Sequence, residues 1–431
     1  MLSFIIALLS LIIIIMHLRL DEKLNFLSPI VLFQIYFFVQ LPLNLFFGHN
    51  FDFPRFQRIS THSPDIDIIN LGFYILFCQS IMLMFYYLFR FKGSGFKEFK
   101  NHWPAQYVNY CCIVLFSLGY VAFAYLIYVN GGYAAFVEQR EFWRTQGSIG
   151  QGWILFPATT MLSTTACAVM LNNKEKFTGF AGFFRLALIY ILAILPSSQL
   201  GFRSFVLLPL IQVVFFYHFY IRRINILFVI LVGFFFVIVF TIAGMEREVP
   251  SSTFGGSYSE YLLSMFYARP DLVFSVFLRS MGADISQLTI DSVNTIGNFK
   301  LFYPIFIEAL TVPIPQTLWP DKPVSLSVQF SQQVMGLNGG VSPTIVGEGY
   351  WHGGFLGIIG LAAILGFLFR IFENLKNQST TNMGAALLML SIYPSLIMMA
   401  EVFQGYFNGL VLVVILNFLI RRLFESGSTV H

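Results

Sequence analysis

The chain has 431 residues, of which 57% are hydrophobic and only 11% charged, with a formal net charge of +4. Soluble domains hold about 25% charged residues, and a soluble fold of this length could not cover so much apolar surface. Composition therefore excludes a disordered chain, a collagen and an ordinary cytosolic enzyme, and it leaves an all-α polytopic membrane protein.

A bilayer core of about 30 Å needs about 20 apolar residues per helix. In chain order, such runs cover Leu2–Leu18, Asn25–Phe47, Ile68–Phe89, Tyr107–Tyr128, Trp153–Leu171, Ala181–Leu195, Ser204–Tyr220, Asn225–Ala243, Gly354–Phe372, Met383–Phe403 and Phe407–Ile420, eleven in all. The first run, from Met1 to Met16, has no basic stretch before it and reads as a retained helix. The spans are almost free of charge. Cys78, Cys111, Cys112 and Cys167 lie inside apolar runs, which excludes a disulfide framework and a thiolate metal site. The expected organisation is residues 1–243 with about eight spans, a large outer loop at 244–353, and about three spans at 354–431.

Basic residues orient the chain. Arg19, Lys23, Arg90, Lys92, Lys97, Lys100, Lys174, Lys176, Arg185, Arg222, Arg223, Arg370, Lys376, Arg421 and Arg422 fall on one side, fifteen of the 25 and all but two of the lysines. That side is predicted to be cytoplasmic, with the N-terminus outside and the C-terminus inside. Only Asp21, Glu22, Glu98, Glu175, Glu373 and Glu425 accompany them, so the inner face carries +9 and the outer face −5. The overall +4 is thus an orientation signal, and no nucleic-acid partner is expected.

Complexity is concentrated outside, near Gly48–Asp67, Asn130–Gly152 and the long Gly244–Gly353 connection. A loop of that length should contain its own elements. Tyr258–Met281, broken at Arg269–Pro270, has the apolar stripe of two amphipathic helices. Pro313, Pro315, Pro320 and Pro323 impose an extended stretch around Trp319.

The outer basic residues are eight Arg to two Lys. A planar guanidinium fork grips phosphate or carboxylate bidentately, which points to a diphosphate-bearing lipid. The alternative is that these arginines pair with outer acids. Arg140 and Arg144, in VEQREFWR, share a helix face and need a partner, either Glu138 or Glu141 or a bound phosphate. Arg203, in the LGFRS turn, either snorkels to headgroups or meets an anion at membrane depth. In TIVGEGYWHGG, Glu348 and His352 could supply a general base and an orienting group beside Tyr350, and the flanking glycines permit close approach of a ligand. Such acid–His pairs are also common by chance. Asp65-Ile66-Asp67 matches a metal-binding D-x-D pattern but suits a helix start equally well.

Taken together, the VEQREFWR loop, the LGFRS turn, IPQTLWPDKP and SPTIVGEGYWHGGFLG resemble the Wzy-type O-antigen and oligosaccharide repeat-unit polymerases. The resemblance implies a GT-C-like fold in the bacterial cytoplasmic membrane, with the active site on the periplasmic face. It implies glycosyl transfer from an undecaprenyl-diphosphate-linked oligosaccharide without metal or cofactor, and a chain-length regulator as a partner. Arg140, Arg144 and Arg203 would then bind the diphosphate, with Arg247, Arg269, Arg279 and Tyr350 as further substrate contacts. Glu348 would act as the base, or His352 in its place. An O-antigen ligase is the rival enzyme, but no His lies between Gly244 and Val346 to lead its motif. A polysaccharide transporter or flippase is the non-enzyme rival, disfavoured by the absence of an internal repeat and of charges in mid-span.

Overall fold

The computed structural model describes residues 2–21, 27–50, 65–89, 105–138, 152–199, 203–225, 256–268, 282–296, 326–334, 343–379, 382–400 and 403–426, with a few isolated positions besides. Among these residues the fold is all-helical, and eight helices are long and apolar enough to cross a membrane. They coincide with eight of the eleven expected runs. Two more of those runs appear as shorter apolar helices, Pro209–Ile221 and Met383–Met398. The run at Asn225–Ala243 lies largely outside the described residues. The chain is a multi-pass membrane protein.

The first helices show what lipid does to helix packing. Helix α1 (Leu2–Leu20) turns Phe4, Leu8 and Ile15 outward and buries Ser3, Ser10 and His17. Lipid tails are as apolar as leucine, so helices associate through close packing and polar contacts rather than by hiding apolar surface. Accordingly Ser10 Oγ donates to Gln79 Oε1 of α4 (Asp65–Leu88) at 2.7 Å. Between them lie α2 (Pro29–Gln40) and α3 (Pro42–Asn50), separated at Leu41 because Pro42 has no N–H to continue the ladder. The D-x-D stretch forms the first turn of α4.

Helix α5 (Ala105–Val129) exposes Tyr110, Ile113 and Val121, as a lipid-facing helix should. After a short α6 (Tyr133–Glu138), α7 (Gly152–Phe156) passes through a π-turn at Pro157–Met161 into α8 (Leu162–Asn172). A proline cannot donate backward, and the wider turn absorbs the missing bond. Helices α9 (Gly179–Gln199) and α10 (Arg203–Phe216) follow.

The long connection at 244–343 contributes three described helices, α11 (Tyr258–Ala268), α12 (Gly282–Ile296) and α13 (Leu326–Val334). The first matches the expected amphipathic helix before Arg269–Pro270. A reciprocal capping box opens it: Ser257 N–H donates to Glu260 Oε2 at 2.9 Å, and Glu260 N–H to Ser257 Oγ at 3.3 Å. These bonds hold the Glu260 carboxyl below its ordinary range.

Helix α14 (Thr344–Gln378) is bent sharply at Gly353 and Gly354. Gly354, with φ 60° and ψ −140°, occupies backbone space essentially closed to side-chain-bearing residues. The chain ends with α15 (Met383–Met398) and α16 (Phe403–Ser426). The long arm of α14 packs along α4, and Phe33 of α2 meets Phe369 at 4.8 Å between ring centres.

Glu373 and Lys376, counted on the predicted cytoplasmic side, fall in the last turns of α14, which runs on to Gln378, and both are buried in the bundle, 3% and 7% exposed. They form an ion pair, and Lys376 Nζ also donates to Ser28 Oγ at 2.9 Å. Around them His17 Nδ1 lies 3.0 Å from Gln34 Oε1, and the Arg370 guanidinium sits 5.3 Å above the Tyr86 ring. A charge survives there because it has a partner of opposite sign and hydrogen bonds.

Candidate outer site

The predicted outer ends of the spans meet where α12 lies across the bundle. Its N-terminus rests on the break between α2 and α3: a Cβ on Gly282 would lie 2.3 Å from the Gln40 carbonyl oxygen, so only glycine fits. The next amide, Ala283 N–H, donates to Asn44 Oδ1 at 3.2 Å. Along its inner face α12 packs on residues 344–352 of α14, where Ser286 and Thr344 hydroxyls bond at 2.5 Å. Trp351 closes a small apolar cluster with Ile285, Val293, Leu326 and Phe330.

The short arm of α14 carries three residues expected at the site. Glu348 is fully enclosed, and its Oε2 accepts from Phe403 N–H, the first amide of α16, at 2.8 Å. Its Oε1 lies 3.9 Å from His352 Nε2, and His352 is likewise fully enclosed. Tyr350 OH donates to Asn294 Oδ1 of α12 at 2.7 Å, with its ring 5.6 Å from Tyr74 of α4. The structure thus brings Glu348, Tyr350 and His352 together, and it ties the acid to a helix start.

Arg203 is the first residue of α10. Arg140, Arg144, Arg247, Arg269 and Arg279 lie outside the described residues. Among the described residues no cluster of His, Cys, Asp or Glu could hold a metal ion.

Sequence reasoning did not single out Asp284, in the first turn of α12. Its Oδ2 is enclosed and has no hydrogen-bond partner, and burial pushes its carboxyl up to about 7 from an ordinary 3.8. Burial alone raises it, with no contribution from a neighbouring charge. Because the folded carboxyl holds its proton to higher pH than the unfolded one, its stabilising contribution is full below about pH 4. That contribution is lost as pH rises through 7. The thermal midpoint is expected to fall over this window, and Asp284→Asn is expected to flatten the fall; an identical pH profile in the variant would refute the burial effect.

Comparison with family models, curated proteins and solved structures finds no match.

Proposed function

We propose that the chain polymerises undecaprenyl-diphosphate-linked oligosaccharide repeat units into O-antigen or capsular polysaccharide. It is read as a metal-independent glycosyltransferase of GT-C-like architecture in the bacterial cytoplasmic membrane, working on the periplasmic face. The observation that carries this reading is a polar site built by α12 and the 344–352 arm, on the side that the count of basic residues predicts to be outside.

The chemistry agrees with the residues. Departure of a lipid diphosphate develops negative charge, and Arg140, Arg144 and Arg203 would stabilise it without a metal. Arg203 opens a helix, whose first amides favour an anion. Arg247, Arg269 and Arg279 are further contacts for the diphosphate or glycan, and Tyr350 presents an aromatic face to a sugar. A chain-length regulator is the partner this reaction calls for.

The transporter reading has one observation in its favour, the buried Glu373–Lys376 pair. Complementation of a strain lacking its polymerase separates the readings. The wild-type chain is expected to restore a glycan ladder. Arg203→Ala, at normal protein level, should leave single lipid-linked repeats, since loss of one such donor costs about 10²–10³ in rate. An unchanged ladder would remove Arg203 from the site. Full-length glycan that fails only to reach lipid A core would indicate a ligase, and repeats left on the inner leaflet would indicate a transporter.

A further inference from the structure

Helix α12 has two unlike faces. Ser286, Thr289, Ile290 and Val293 are buried, with Ser286 and Thr289 lying against the short arm of α14. Asp284, Gln287, Asp291 and Asn294, at i, i+3, i+7 and i+10, form a second stripe within about a quarter turn of one another. Gln287 Nε2 donates to Asp291 Oδ1 at 2.8 Å, which fixes the amide and aims its oxygen away from that partner. Gln287 is only 6% exposed, yet its Oε1 has no partner, and Asp284 Oδ2 is in the same state one turn earlier. An enclosed acceptor left unfilled is costly, and natural folds retain few of them without a use.

Gln287 Oε1 is an acceptor, and Asp284 Oδ2 is one when its carboxyl is ionised, so a donor is the group that suits both. Tyr350, hydrogen-bonded to Asn294 and beside Tyr74, stands at the far end of the stripe as an aromatic surface. Acceptors spaced along about 15 Å of helix, ending on aromatic rings, fit a chain of hydroxyl-rich sugar rings. Glu348 and His352 are fully enclosed, and Glu348 is fastened to the Phe403 amide, whereas Asp284 has an oxygen to spare.

We propose that the Asp284–Gln287–Asp291–Asn294 stripe holds the acceptor glycan and that Asp284 is the catalytic base. The inference rests on the polymerase reading. The acceptor hydroxyl oxygen bonds to the anomeric carbon of the donor glycan while the bond from that carbon to the diphosphate oxygen breaks. The diphosphate leaves with the electron pair, and the hydroxyl proton passes to the Asp284 carboxylate. A carboxyl whose affinity for protons lies near neutrality is matched to that transfer.

Two measurements test it. In the complementation assay Asp284→Asn is expected to leave single lipid-linked repeats at normal protein level, with a thermal midpoint at pH 8 equal to or above wild type. A merely structural carboxylate would lower that midpoint. In detergent, calorimetry with oligosaccharide prepared by partial acid hydrolysis of the source strain's surface polysaccharide should show binding to the wild-type chain. Gln287→Ala and Asp291→Asn should each weaken it by about tenfold. A full ladder from Asp284→Asn overturns the base assignment, and oligosaccharide binding indifferent to Gln287→Ala and Asp291→Asn overturns the stripe. Binding of calcium or magnesium at the stripe in place of oligosaccharide also overturns it. If the wild-type chain itself restores no ladder, the polymerase reading fails, and the binding measurement still decides whether the stripe takes sugar.

Discussion

Lys376→Ala is expected to destabilise the protein by about 3–5 kcal/mol, because it leaves Glu373 charged and enclosed with its partner gone. The pair is 3% and 7% exposed and lies where α14 passes α2. Lys376 also supplies the donor to Ser28 Oγ, so the substitution removes two bonds at once. Replacing both members, Glu373→Leu with Lys376→Met, should recover most of the loss, since exchanging a buried ion pair for apolar side chains is often close to neutral. Denaturant unfolding in detergent of both single variants and the double variant measures this as a cycle. Additive losses would mean that the two charges do not interact. The same set bears on function: a double variant that is stable and still builds the ladder excludes the pair from the reaction and removes the observation favouring a transporter.

The sequence made the spans legible because the bilayer imposes length and apolarity on each helix separately, with no knowledge of its neighbours. Leu2–Leu18 and Phe407–Ile420 needed nothing else. Pro42 likewise announces the break between α2 and α3 locally. What could not be read was anything decided by a distant partner. Lys376 is kept inside by Ser28, 348 residues earlier, and α12 is seated by Asn44, 239 residues earlier. The apolar spacing of Ile285, Leu288 and Val293 is visible in the sequence as a helical stripe. That the Oδ2 of Asp284 on the same helix is enclosed without a hydrogen-bond partner is not, because burial is set by the packing of distant segments. Glu348, Tyr350 and His352 stood out through their glycine-rich setting, whereas the attachment of Glu348 to α16 depends on an amide 55 residues further on.

That attachment leads to a prediction that separates two roles of one carboxylate. Glu348→Ala should destabilise the junction between the 344–352 arm and α16 by about 1.5–3 kcal/mol, the cost of losing a hydrogen bond to a charged group. It strands the Phe403 N–H at a helix start, where the first amides have no partners within the helix. A carboxylate there is also favoured by the positive end of the α16 dipole. Because Ile345 N–H is held by the Ala400 carbonyl at 3.3 Å, the 344–352 arm and the start of α16 should loosen together. Glu348→Gln keeps an oxygen at the same place, so it should retain most of the stability. If Asp284 takes the proton, Glu348→Gln should also retain the ladder. Protease protection of the α15–α16 connection reports the fastening, and the glycan ladder reports the chemistry. A Gln variant as stable as wild type but devoid of ladder would return the role of base to Glu348 and take it from Asp284. Loss of ladder in the Ala variant alone, in step with loss of fold, assigns Glu348 to holding the short arm against the last helix, which keeps Tyr350 bonded to α12.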